Sequence, residues 1–325
     1  MAGVPCAAMT ICAGSLAEVL GVSGWRGPRG ATLLAVCGLL ACGGGGGATE
    51  ASGSGSGSGT GGGGETGVTG GSEAGSGAAA VCGDGVVAGD EQCDDGADNG
   101  VGGKCRADCS GLRVATVEGD AIPFDKSPAG RIVGAEVSVL EFPEFVMVTG
   151  ADGHFKFEGL PVGADITLVM QHPDYHPIQT GTHELPDEGL TRITFQAVTP
   201  AIYGALAAIV GVTPDDERYC QMVTTVTRVG KSIYDMGAHG EAEVTVTLDP
   251  PLPAENGPVY FNAQVIPEPG LTQTSEDGGV LYMQVPPGDY TWTATKAGAE
   301  FRVVRMKCRA GYLINASPPW GLQRL

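Results

Sequence analysis

Histidine is the side chain best suited to acid–base or metal chemistry near neutral pH. Three of the five in this chain fall close together: His172 and His176 within Gln171-His-Pro-Asp-Tyr-His-Pro-Ile178, and His183 just beyond. Converging neutral imidazoles, supported by Asp174 or Glu184, would make a metal centre. Pro173 and Pro177 bar the helix that would stack an i, i+4 pair on one face. No H-E-x-x-H occurs, and none of the five His begins an H-x-x-E pair. A G-x-S-x-G elbow and a phosphate-cradling loop are also missing from the sequence. Solvated loop histidines are the expected state. An exported metal-dependent hydrolase using the His172/His176/His183 loop stands as the alternative to a noncatalytic protein.

Cysteine is the second reactive type, with ten in the chain. Cys82, Cys93, Cys105 and Cys109 fall within 28 residues, among Asp84, Asp90, Asp94, Asp95, Asp98 and Asn99. In an exported chain such a cluster reads as disulfides. Structural zinc is the rival, opposed by the lack of close C-x2-C knuckles and by an oxidising compartment. The Asp-Gly pairs are turn formers, because Asp caps its own backbone and Gly reaches positive φ. The same carboxylates could instead offer hard oxygens to calcium, although no EF-hand spacing is present. No other cofactor is implied. Cys220 and Cys308 are expected to pair across the second half of the chain. Cys308 shares a strand face with Val304 and Met306, whereas Cys220 is read as ending a short helix and feeding a strand over 222–229.

The compartment follows from the N-terminus. Arg26 and Arg29 precede the apolar run Ala31–Leu40, ten residues long and too short to span a bilayer, which takes about 20 residues. A basic flank, a short apolar stretch and then small residues describe an export signal. Leu39-Leu40-Ala41-Cys42 resembles the lipobox of bacterial lipoproteins. That resemblance implies cleavage before Cys42, acylation of its thiol, and loss of Cys6, Cys12 and Cys37 with the leader. Gly43 in place of Asp favours the outer membrane, again by resemblance. Between Gly43 and Ala80, 18 of 38 residues are Gly and none is aromatic. Such a tract cannot bury enough apolar surface to fold, and as a coil it spans about 35 Å.

The stretch Val81-Cys-Gly-Asp-Gly through Asp90-Glu-Gln-Cys-Asp-Asp-Gly96 resembles the Cys-rich repeat of myxobacterial surface proteins. Gly103-Lys104-Cys105 stands where that family has D-G-C. From Arg113 onward period-two alternation between Gly, Pro and Asp turns argues for strands. Examples are Ala135/Val137/Val139, Phe155/Phe157, Val244/Val246/Leu248 and Tyr290/Trp292/Ala294. There is an internal repeat. Ala135-Glu-Val-Ser-Val139 matches Ala242-Glu-Val-Thr-Val246, and Thr149-x-x-Asp-Gly153 with Pro161-x-Gly163 matches Thr274-x-x-Asp-Gly278 with Pro286-Pro-Gly288. The first copy resembles carboxypeptidase regulatory-like domains over 113–198, the second more loosely over 236–325. The resemblance implies transthyretin-like sandwiches that do no catalysis. Between them Thr199-Pro200 signals a helix start before an apolar run, and Thr213-Pro-Asp-Asp-Glu217 repeats the signal.

The expected architecture is therefore mainly β: two β-sandwich domains with a short helical insertion between them, preceded by a small disulfide-rich module and a Gly/Ser linker. The segments are 1–41 signal peptide, 42–80 lipidated Cys and linker, 81–111 Cys-rich module, 112–198 first sandwich, 199–235 helical segment with a first strand, and 236–325 second sandwich. With 37 acidic against 18 basic residues the net charge is -19, which opposes nucleic acid, since that binding rests on Lys and Arg. The expected function is a noncatalytic outer-membrane or cell-surface lipoprotein. Its partners are the membrane, through the lipid, and envelope proteins or polysaccharide. Contact is expected at sandwich-end loops, around Pro267–Leu271 and at the Asp277-Gly278-Gly279 turn.

Overall fold

A computed structural model describes residues 80–325 apart from 128, 233 and 236–238. Cys42, the leader and the Gly/Ser tract lie outside the described residues. Among those described, alternating apolar and polar positions form fifteen strands, and one α-helix interrupts them.

In the first half, β1 (Val114–Pro123) pairs antiparallel with β4 (His154–Pro161) and parallel with β7 (Phe195–Ala197). A second layer runs β3 (Val146–Val148), β2 (Glu136–Val139), β5 (Asp165–His172), β6 (Tyr175–Glu184). The inward positions of both layers make one apolar core, in which Phe155, Phe195, Leu160, Leu168 and Ile178 are fully buried. Each such side chain contributes about 1.5–3 kcal/mol.

The second half contains β8 (Cys220–Thr225), β9 (Thr245–Asp249), β10 (Val259–Phe261), β11 (Pro267–Glu268) and β12 (Gly279–Val285). It ends in β13 (Gly288–Thr295), β14 (Val304–Cys308) and β15 (Leu313–Asn315). One arm runs β11-β10-β12-β8-β15 and the other β9-β13-β14. Their facing sides enclose Trp292, Tyr282, Met222, Met306 and Ile314. Trp292 meets Tyr282 edge-on at 5.2 Å between ring centroids.

Both arms hang from β6. Ile178–Thr180 pair in parallel with β15, Thr182 pairs with Arg305 of β14, and the opposite edge pairs with β5. One sheet of twelve strands thus runs through both halves. Side chains reinforce the seam: Arg305 grips Asp165 through its two terminal guanidinium nitrogens, and Lys307 meets Glu141 at 2.6 Å.

The sequence repeat is also a repeat of bonds. The buried Thr149 hydroxyl accepts from Ala135 N and donates to Ile132 O; the buried Thr274 hydroxyl accepts from Val244 N and donates to Glu241 O. Gly153 and Gly278 both hold positive φ, and a Cβ at either would strike a backbone carbonyl, that of Ala121 or of Val226. These are the Asp-Gly turns, and only glycine fits them.

The helix α1 (Pro200–Ile209) begins where the sequence signals it, with Thr199 accepting from Ile202 N. The second signal starts no helix. Residues 213–219 form a turn in which Arg218 N and Tyr219 N reach Asp215 O. The Asp216 carboxylate accepts from the Tyr203 hydroxyl at 2.6 Å and caps no amide of its own segment. Cys220 accordingly opens β8 and ends no helix.

Candidate functional site

The cysteine module is built from turns. Disulfides join Cys82 to Cys109 and Cys93 to Cys105, with Cα–Cα separations of 5.7 and 5.5 Å. Asp94 organises the turns around them: its carboxylate accepts from the amides of Gly83, Gly85 and Gly96 and from Asn99 Nδ2. Desolvation pushes its pKa up, but the bonds from Gly96, Asn99, Gly83 and Gly85 outweigh that and hold it below the ordinary carboxylate value. One Asp95 oxygen accepts from Lys104 N and Cys105 N, and Asp84 caps Val86 N. Asp90 and Asp98 are exposed. Two clusters, Cys93–Asp95–Cys105 and Glu91–Asp94–Cys109, bring potential ligand atoms within 4.8 Å. Every sulfur in them is already in a disulfide, whereas a metal takes the thiolate. Arg113 joins the module to the sheets: its side chain reaches Gly103 O and pairs with Asp187, and its carbonyl accepts from Val162 N.

The three histidines occupy three separate settings, and two are not the solvated loop residues expected. His172 ends β5, where its Nδ1 accepts from Asp174 N and its Nε2 lies 3.2 Å from Val133 O. His176 is 8% exposed, and its ring stacks on Tyr203 of α1 at 3.8 Å. Burial lowers its pKa, against the opposing pull of Asp216. His183 lies in β6, seven residues past His176, or about 23 Å along an extended strand. Its Nε2 is enclosed and unpartnered, and burial, with Arg305 adding to it, lowers its pKa to about 4. β6 pairs with three neighbouring strands, so its side chains are covered from both halves. Among the described residues no cluster of potential metal ligands contains a histidine.

Cys220 and Cys308 form a disulfide with Cα atoms 5.8 Å apart. It staples β8 in one arm to β14 in the other, with both sulfurs in the core.

Of the sandwich-end segments, Pro267 and Glu268 form the short edge strand β11. Asp277 accepts from Gly279 N at the tip before β12. Burial raises the Asp277 pKa, although the Gly279 bond and His239 pull it down. Asp277 and Gly279 also wall a cleft of about 390 Å3 that reaches back under α1. Gln221 and Asn315, which also line this cleft, are not among the residues the sequence singles out. Their only signal is a polar residue inside an apolar strand, Cys-Gln-Met in β8 and Leu-Ile-Asn in β15.

No family model matches the sequence, and no curated protein matches it. Among solved structures, the TIE protein of Bacillus anthracis is 15% identical with a TM-score of 0.24, covering 63% of this chain and 34% of that one. This chain therefore spans about a third of that protein's length. The minor pilin of Streptococcus agalactiae is 10% identical with a TM-score of 0.21, over 64% of this chain and 94% of its own. A shaft pilin variant of Lactobacillus rhamnosus GG is 10% identical with a TM-score of 0.19, over 63% and 98%.

Proposed function

We propose that this chain is an exported, lipid-anchored envelope protein whose β-sheet body serves as a noncatalytic binding or structural module. The observation that carries the reading is the set of three disulfides in the described residues, a usage of cysteine that belongs to oxidising compartments. The lipobox-like Leu39–Cys42 supplies the attachment and the tract from Gly43 to Ala80 the stand-off. The resemblances to Cys-rich repeats and to carboxypeptidase regulatory-like domains point the same way, as does Gly43 toward the outer membrane. Contacts to envelope protein or polysaccharide fall to the sandwich-end turns. The separate settings of His172, His176 and His183 speak against the hydrolase alternative.

Metabolic labelling with a palmitate analogue tests the anchor. Wild type takes the label and sediments with membranes, whereas Cys42→Ser does neither; an unlabelled, soluble wild type overturns the proposal.

A further inference from the structure

The sheet arm β10-β12-β8-β15 has two faces, and the core described above uses one. The other face is apolar as well. Leu281 and Met283 from β12, Phe261 from β10 and Leu313 from β15 cluster there, and α1 packs on them through Ile202, Leu206 and Ala207. A helix of ten residues is only about 15 Å long and about 10 Å wide, while the seven residues of β12 alone run about 23 Å, so the helix leaves part of this face uncovered. What α1 leaves open is the cleft of about 390 Å3. This lies in the range of small-molecule sites, roughly 300–1,000 Å3 with apolar walls and a few placed polar groups.

Three observations define what the cleft accepts. First, aromatic and aliphatic side chains, among them Phe124, Phe261, Leu281 and Leu313, share its lining with uncharged polar ones such as Gln196 and Asn315. Second, none of the described lining residues is Lys or Arg, and Asp125, Asp277 and His239 are its ionisable groups besides Tyr203. An anion there would meet carboxylates with no fixed cation to offset its desolvation. Third, Gln221 is 1% exposed; its Oε1 accepts from Gln284 N at 2.8 Å, but its Nε2 has no hydrogen-bonded acceptor. The Tyr203 hydroxyl gives its proton to Asp216, and its oxygen approaches the Gln221 amide without completing a hydrogen bond. A buried donor without an acceptor costs about 1–3 kcal/mol, and a ligand oxygen would remove that cost. At the mouth, Val265 is held at a φ of 62°, a conformation unfavourable for a β-branched residue and the kind of strain found at ligand clamps.

We propose that this cleft binds a small, uncharged, mainly apolar molecule whose carbonyl or hydroxyl oxygen accepts from Gln221 Nε2. The inference deepens the reading of the body as a binding module, but it does not depend on the lipid anchor. The test uses the full chain carrying Cys42→Ser, so that no acyl chain competes for the probe. Prodan, a neutral naphthyl ketone, should bind at a single site with a blue-shifted emission. The anionic anilinonaphthalene sulfonate should bind at least about tenfold more weakly. Gln221→Glu keeps the oxygen that serves Gln284 N and removes the donor, so it should weaken Prodan by about tenfold. Leu206→Trp, at a half-buried helix position, should block the cleft and abolish binding without altering far-ultraviolet circular dichroism; it carries the test alone if Gln221→Glu does not fold. Failure of Prodan to bind, equal binding of the sulfonate, or unchanged binding to Leu206→Trp would overturn the proposal. Loss of palmitate labelling at Cys42 would touch the anchor and leave this result standing.

Discussion

The cysteine module and the β-sheet body solve the same problem with opposite means. In the module Val81, Val86, Val87 and Val101 are all exposed, and its buried apolar residues are the half-cystines Cys105 and Cys109. Two disulfides and a hub of amides around Asp94 hold it. The body buries two apolar cores, and its disulfide is an addition to packing already present. A segment too small to bury a core needs covalent closure to exist at all. In the larger body the same bond adds an increment. Disulfide count is thus a poor measure of how much each region depends on its cysteines.

The comparison breaks first at the cysteines. Replacing Cys82, Cys93, Cys105 and Cys109 by Ala should leave the module without slowly exchanging amides, since its loop closures are worth about 3 kcal/mol each. Replacing Cys220 and Cys308 by Ala should cost about 4–5 kcal/mol, yet leave the body folded on its two cores. Hydrogen exchange by mass spectrometry reads both. Protected module amides in the first variant, or an unfolded body in the second, would erase the distinction.

A pH effect sharpens it next, on the body's side. His183 is neutral in the folded protein, its pKa lowered from 6.5 to about 4, so the unfolded chain binds the extra proton between those values. Stability is then complete above about pH 6.5 and falls as the pH drops toward about 4, by up to about 3 kcal/mol. Urea unfolding at pH 7 and pH 4.5 should show a smaller acid loss for His183→Leu than for wild type. Equal losses would remove His183 from the account.

The smallest change belongs to the module. The pKa of Asp94 is depressed, so its contribution is present above the ordinary carboxylate value and disappears as the pH falls through the folded one. Asp94→Ala should speed exchange at Gly83, Gly85 and Gly96 at neutral pH while the body's amides stay as they were. Unchanged exchange at those three glycines would show that the disulfides alone set the turns.

What could be read from the sequence was local. Period-two alternation marked the strands, Thr199-Pro200 marked α1, and the T-x-x-D-G repeat marked two equivalent turns that make equivalent bonds at Thr149 and Thr274. The role of β6 was not readable. Tyr-His-Pro-Ile-Gln-Thr-Gly-Thr-His-Glu looks like a polar loop, because its fitness for burial depends on the strands that flank it, one adjacent in the chain and others far away. Thr182 meets Thr167, Thr180 accepts from Leu168 N, and Gln179 donates to Lys307 O. The Thr213–Glu217 signal misled for a related reason: Asp216 is claimed by Tyr203 across the turn. Gln221 was invisible as a site residue because its strand reads as ordinary core.

The Cys220–Cys308 bond also has a mechanical meaning. A protein fixed at one end and pulled at the other lengthens by paying out chain as each part gives way. This bond joins residues 88 apart in sequence, a contour of about 300 Å when drawn straight. While it is intact, none of that length can be released by load, however far the strands on either side have separated. Only the stretches outside the bridge can extend under force, and reduction would lift the limit.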